Sequence, residues 1–122
     1  MATKKILIVD DDKNFNQLLQ DYLKSFGYEV RSAENCDEGL DLFKKHKPRV
    51  VLLDFNMPLV TGEKFLPVLQ GLDPMVKAIV ISGCIEEEVE EKFRGLGYFA
   101  FFEKGSLSLE ELKSKVEDAL NY

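Results

Sequence analysis

The chain has 122 residues, enough for one domain with its own hydrophobic core and too few for a second. At 45% hydrophobic and 31% charged it is globular in composition, and no apolar run reaches the ~18 residues a membrane helix needs, so neither a disordered nor a membrane-spanning chain is expected. A net charge of −6 opposes a direct grip on nucleic-acid phosphates, so any DNA-directed output requires another protein or a further domain.

Along the chain, short apolar runs alternate with helical periodicity five times, the pattern of an α/β sheet. Met1–Lys5 does not resemble a signal peptide, because the run behind its lysines is only Ile6–Val9 before Asp10 and Asp11, and the expectation is a cytoplasmic protein. A helical stripe follows, carrying Phe15, Leu18, Leu19, Tyr22, Leu23 and Phe26 inward and stopping at Gly27, a left-handed cap. Tyr28–Ala33 alternates apolar and polar, as an edge strand with one wet face does. Asn35 and Glu38 have capping-box spacing for a helix that turns Leu40, Leu42 and Phe43 inward and ends at Pro48. His46, among Lys44, Lys45, Lys47 and Arg49, is expected to be an exposed helix-end residue.

Val50–Leu53 is continuously apolar, as a central strand buried on both faces should be, and stops at Asp54. A loop with Pro58 and Gly62 leads to the stripe Phe65, Leu66 and Leu69, which Gly71 to Pro74 breaks. Ala78–Ile81 is another buried strand and stops at Ser82. From Ile85 to Leu96 a helix is expected, with Ile85, Val89, Phe93 and Leu96 inward and Glu86, Glu87, Glu88, Glu90 and Glu91 elsewhere; that acidic face suits a basic partner, but a solvated face is the favoured reading. Tyr98–Phe102 is the last strand, shortly before Lys104, and Ser108 with Glu111 caps a helix carrying Leu109, Leu112, Val116 and Leu120. Gly95-Leu-Gly97 imitates a dinucleotide loop but precedes a strand where such a loop follows one. Cys36 and Cys84 are far apart and form no cluster with the single histidine, which rules out a structural zinc site; their spacing allows a disulfide, but two free thiols in a reducing compartment are expected.

Four apolar runs thus end in reactive polar residues, and ligands of open α/β sheets bind outside the carboxyl ends of the strands. Asp10, Asp11 and Asp54 would meet there, where their mutual repulsion is relieved by a cation. Hard oxygen ligands suit Mg²⁺, with Mn²⁺ as the alternative. Asp10 to Asp12 would by themselves mean only a capped helix start, but Asp54 and Lys104 at neighbouring strand ends favour a site. A carboxylate can accept a phosphoryl group, and such transfer is mostly positioning and charge neutralisation, for which Lys104 and Ser82 are donors.

Ile6-Leu-Ile-Val-Asp10-Asp11, Leu52-Leu-Asp54-Phe-Asn-Met57-Pro58 with Gly62, Ser82-Gly83 and Lys104 together resemble, over essentially the whole chain, the receiver domain of two-component response regulators. The resemblance implies a single domain, residues 1–122, with a flavodoxin-like, doubly wound, five-stranded parallel sheet in the order 2-1-3-4-5 and five helices. It also implies that Asp54 is phosphorylated from a histidine kinase or histidine phosphotransfer protein. Mg²⁺ would be held by Asp11, Asp54 and the backbone carbonyl of Asn56, with Asp10 acting mainly through water. Lys104 would pair with a phosphoryl oxygen, Ser82 would swing to bond another, and Phe101 would turn inward behind it. Gly83 would leave room for the phosphoryl group, and Asn56 and Cys84 would flank it. The output would be a changed surface for a downstream effector, not turnover of an external substrate. One departure is Gly105, where the family usually has a proline in a cis peptide; a cis non-proline bond costs about 2.5–4 kcal/mol, which leaves the isomer open.

Two other readings compete. Asp10-Asp11-Asp12 contains the Asp-x-Asp spacing of haloacid dehalogenase phosphatases, but Asn14 stands where that motif wants threonine. A degenerate receiver that works by binding alone is disfavoured by the presence of acids, acceptor, hydroxyl and lysine.

Overall fold

The computed structural model describes residues 4–57, 60–84, 87, 89, 91–92, 95 and 97–121. Five strands, β1 (Lys5–Val9), β2 (Glu29–Ala33), β3 (Val50–Asp54), β4 (Lys77–Ser82) and β5 (Ala100–Glu103), form one sheet in the order β2-β1-β3-β4-β5. Every pairing is parallel, so all five carboxyl ends lie along one edge.

The described helices are α1 (Lys13–Lys24), α2 (Cys36–His46), α3 (Gly62–Leu72) and α4 (Leu109–Asn121), with a single 3-10 turn at Lys104–Ser106. That is one helix fewer than expected. The helix read over Ile85 to Leu96 lies largely outside the described residues, as do Glu86, Glu88, Glu90, Phe93 and, in the loop after Asp54, Pro58. No helix among the described residues is long and apolar enough to cross a membrane.

Strand side chains alternate between two cores because successive residues point to opposite faces. Leu7, Val9, Val51, Leu53, Ala78 and Val80 pack with Phe43 of α2 and Phe65, Leu66 and Leu69 of α3. Ile6, Ile8, Leu52, Ile79 and Ile81 pack on the other face with Leu19 and Leu23 of α1 and Leu112, Val116 and Ala119 of α4. β3 is buried along its whole length, as its continuous apolar run predicts, whereas edge strand β2 buries Val30 and Ala33 and exposes Arg31. Gly39 lets α2 approach β1 closely, since a Cβ there would stand 3.1 Å from Val9 Cγ2.

The caps form as read: Asn35 Oδ1 accepts from Glu38 N at 2.8 Å, and Ser108 Oγ from Glu111 N at 3.3 Å. Three sequence expectations fail. Leu18 is 50% exposed, because the buried line of α1 is Asn16, Leu19 and Leu23 and Leu18 falls beside it. Phe26 is 45% exposed, because the helix already stops at Lys24; its ring rests edge-on against Tyr22 and carries the Lys113 ammonium. His46 is buried, not exposed, because the end of α2 folds over the start of β1 and β2; that burial lowers its pKa, and its Nε2 has no hydrogen-bond partner.

Candidate functional site

The carboxyl edge gathers the polar strand ends that the sequence singles out. Asp10 follows β1, only 2% exposed, and its Oδ1 accepts from Asp12 N at 2.8 Å. Asp12 turns the other way: its own Oδ1 accepts from Phe15 N at 3.1 Å and caps α1. The helix-start reading of the acidic run therefore holds for Asp12 alone, and the second acid of the Asp-x-Asp spacing is spent on the helix. Asp11 is exposed.

Asp54 ends β3 and is 3% exposed. Lys104 reaches across from the end of β5, its Nζ standing 3.1 Å from Asp10 Oδ2 and 3.4 Å from Asp54 Oδ2. The Lys104–Gly105 peptide is trans, like every described peptide, and the loop still delivers the ammonium between the two acids. Carboxylate oxygens of Asp10, Asp11 and Asp54 lie within 4.8 Å of one another. Burial, and then the neighbouring Asp10 carboxylate, push Asp54 up to about 7, while Lys104 and the Asn56 N–H pull it back only in part. Burial alone would lower the Lys104 ammonium, but Asp54 and Asp10 outweigh it and hold the group above its ordinary value.

One ammonium against three carboxylates leaves the cluster short of positive charge. All three offer hard oxygens with Asp11 open to solvent, so the donor set fits a divalent cation such as Mg²⁺. Asn56 joins through its N–H, which donates to Asp54 Oδ1 at 3.2 Å.

The remaining residues line the β4 and β5 side. Ser82 is fully buried, and its Oγ accepts from Cys84 N at 2.9 Å. Cys84 in turn receives a weak contact from Asn56 Nδ2, 3.8 Å from its sulfur. Gly83 is exposed with nothing within 4 Å of where a Cβ would stand. Phe101, opposite Val80 in the β4–β5 register, is half-buried on the α2–α3 face with its ring 6.2 Å from Tyr98. Cys36 is elsewhere, buried at the start of α2 with its thiol pushed up to about 11 by burial, then by Asp37; both cysteines are free.

Two contributors escaped the sequence reading. Buried Asn16 donates through Nδ2 to Asp10 O at 2.9 Å and Ala33 O at 3.1 Å, tying the ends of β1 and β2 together beneath the acids. Its signal is a polar residue on the buried line with Leu19 and Leu23. Phe15 places its ring 5.0 Å from Lys104 Nζ, a cation–π contact that steadies the lysine from α1. A core-stripe aromatic and a lysine far along the chain give no sequence signal of meeting.

The sequence matches the family model described as the response regulator receiver domain over residues 6–117. The chain belongs to that family. Its relatives include sporulation initiation phosphotransferase F of Bacillus subtilis, 29% identical over 98% of this chain and 96% of that one. A response regulator receiver protein of Anaeromyxobacter is 35% identical over 83% of this chain, which spans only 42% of that relative. The cell cycle response regulator CtrA of Brucella ovis is 31% identical over 79% of the chain and 40% of its own length. Among solved structures, a CheY-like receiver domain of Methanospirillum hungatei superposes with a TM-score of 0.91 at 28% identity, covering 98% of this chain and 95% of that one. A receiver domain from Clostridium thermocellum gives 0.88 at 26% identity over 97% and 94%. This receiver chain thus has relatives of its own length and relatives about twice as long, of which it spans less than half.

Proposed function

We propose that this receiver domain is a phosphoacceptor switch in a two-component phosphorelay, with Asp54 as the acceptor. The observation that carries the reading is the single ammonium of Lys104 held between Asp10 and Asp54, 3.1 and 3.4 Å away, at the edge where Asp11 and Ser82 also stand. An Asp54 carboxylate oxygen attacks the phosphorus of a phosphohistidine. The new O–P bond forms as the N–P bond breaks, and its electron pair leaves on the imidazole nitrogen. Lys104 then exchanges part of its carboxylate contact for a phosphoryl oxygen, and Ser82 gives up its bond from Cys84 N to donate to another. Phe101, half-buried on β5, follows Ser82 inward and carries the change to the surface.

Mg²⁺ bound by Asp10, Asp11, Asp54 and Asn56 would supply the positive charge that neutralises the transferred group. Asn16 and Phe15 hold the acids and the lysine in register. The donor would be a histidine kinase or histidine phosphotransfer protein, and the product state would be read by a downstream effector. A cytoplasmic location is in keeping with such partners. The full-length relative named a phosphotransferase supports a role in passing a phosphoryl group on, rather than turnover of an external substrate.

Intact-mass measurement after incubation with Mg²⁺ and acetyl phosphate tests the reading. One labile phosphoryl adduct is expected on the wild type and none on Asp54→Asn. An adduct that persists in Asp54→Asn, or a wild type that accepts nothing from acetyl phosphate or a phosphohistidine donor, would sink it.

A further inference from the structure

The amino edge of the sheet, remote from Asp54, carries a second built surface. α2 and α3 both run back toward that edge, and their last turns frame a hollow of about 310 Å³ lined by Phe43, Lys44, Lys47, Leu72 and Asp73. This lies at the low end of the about 300–1,000 Å³ of ligand pockets, room for one or two side chains. Leu72 of the hollow is 50% exposed, and two further apolar side chains of this region are exposed, Val68 in α3 at 46% and Met75, just past the helix, at 69%. Val68 and Leu72 stand one turn apart on one face. A single exposed leucine needs no explanation, but three large apolar side chains beside a hollow mark an interaction surface.

The rim has the opposite sign from the molecule. Positions 44 to 49 hold Lys44, Lys45, Lys47 and Arg49 and no acid, in a chain of net charge −6. Among the described residues neither Lys44 nor Lys47 has an acidic partner. Asp73, the one acid among the described residues that line the hollow, has its Oδ1 occupied by Met75 N at 2.9 Å. Lys47 also keeps its place at a cost. Its backbone is left-handed, φ 53 and ψ 57, which costs an L side chain about 1–2 kcal/mol at a position where helices ordinarily use glycine.

We propose that this groove docks an acidic amphipathic helix of a partner protein. A large apolar side chain would sit in the hollow between Phe43 and Leu72, with carboxylates against Lys44 and Lys47. Nucleic acid would meet the cations but not the apolar floor, and the overall negative charge repels it. The four residue steps from Val50 to Asp54 along β3 put about 13 Å between this edge and Asp54, so a partner can be held here without covering the phosphorylation edge. The inference does not depend on the phosphorylation reading.

The test is an NMR titration of the isotope-labelled full chain with a synthetic helical peptide bearing Glu on one face and Leu and Phe on the other. Shift changes are expected at Phe43–Lys47 and Val68–Met75, and saturable binding that Leu72→Ser weakens about tenfold, equivalent to about 1.4 kcal/mol. Lys47→Gly should weaken binding about threefold while the thermal midpoint holds or rises, since glycine relieves the left-handed backbone. A peptide with Lys in place of Glu should not bind. The proposal is overturned by absence of saturable binding, by shift changes centred elsewhere, by equal affinity for the Lys peptide, or by variants that bind like the wild type. It is equally overturned if ultracentrifugation shows the chain covering this groove with a second copy of itself.

Discussion

The two halves of the sheet's carboxyl edge are built differently. β1 and β3 are interior strands whose apolar residues are at most 1% exposed in β3 and wholly buried from Ile6 to Val9, and the acids at their carboxyl ends, Asp10 and Asp54, hardly meet water. β5 is an edge strand, half-buried throughout, and contributes Phe101 and, just beyond its end, Lys104. The inner half holds charge at fixed positions, at the cost of concentrating carboxylates. The outer half contains the groups that the proposed switch would move. A switch needs both, because movement on one side is informative only against a rigid reference on the other.

Core truncations should expose the contrast most strongly. Leu53→Ala in β3 is expected to cost about 3–5 kcal/mol of unfolding free energy in urea, whereas Phe101→Ala in β5 should cost about 1–2 kcal/mol because its ring is only half-buried. Equal losses would break the distinction between a rigid and an adaptable half.

Removing the cation tests the charge side. Lys104→Met leaves Asp10 and Asp54 facing each other without compensation and should cost about 2–3 kcal/mol, below the range for a fully buried pair because Lys104 is 25% exposed. The loss should shrink on acidification as Asp54 takes up a proton.

Asp54 itself has the opposite sign. Its pKa stands at about 7 in the fold against an ordinary 3.8, so between those values the native state binds more protons than the unfolded chain. Stability therefore falls as pH rises through that window, and the cost is fully present above about 7. Asp54→Asn should gain about 1–2 kcal/mol near pH 8 and little near pH 4, measured by urea unfolding across pH. Saturating Mg²⁺ should narrow the difference by stabilising the wild type. A stability gain that is independent of pH would show that repulsion is not the cause.

The smallest effect belongs to Ser82. Ser82→Ala removes the acceptor of Cys84 N and should cost about 1 kcal/mol. The variant should still gain the phosphoryl adduct, because Asp54 and Lys104 remain, but phosphate-dependent NMR shift changes in β5 should diminish. Undiminished changes would detach Ser82 from the response of Phe101.

Much of this was legible in the chain because strand ends are marked locally. The runs Ile6–Val9, Val50–Leu53 and Ala78–Ile81 announce buried strands, and the residue that interrupts each run stands at its carboxyl end. Asn16 was not legible in the same way. Its two carbonyl partners lie at the ends of different strands, Asp10 just past β1 and Ala33 closing β2, so a polar residue on a core stripe has no visible reason until the strands are placed. His46 was misread for a related cause: its basic neighbours suggest solvent, but burial depends on how the end of α2 crosses β1 and β2.

Alternation of apolar runs and helical stripes by itself determined the α/β class, and the residues ending the runs determined which side chains form the acidic edge. Periodicity and chain termination are local properties, carried by neighbours a few residues apart. Only the tertiary structure decided that Lys104 spans Asp10 and Asp54 with Phe15 beneath it, that Asp12 leaves the cluster to cap α1, and that Phe43 and Leu72 line one hollow with Lys44 and Lys47. Those contacts join residues distant in sequence, and parallel strand order and helix crossing, not composition, bring them within reach.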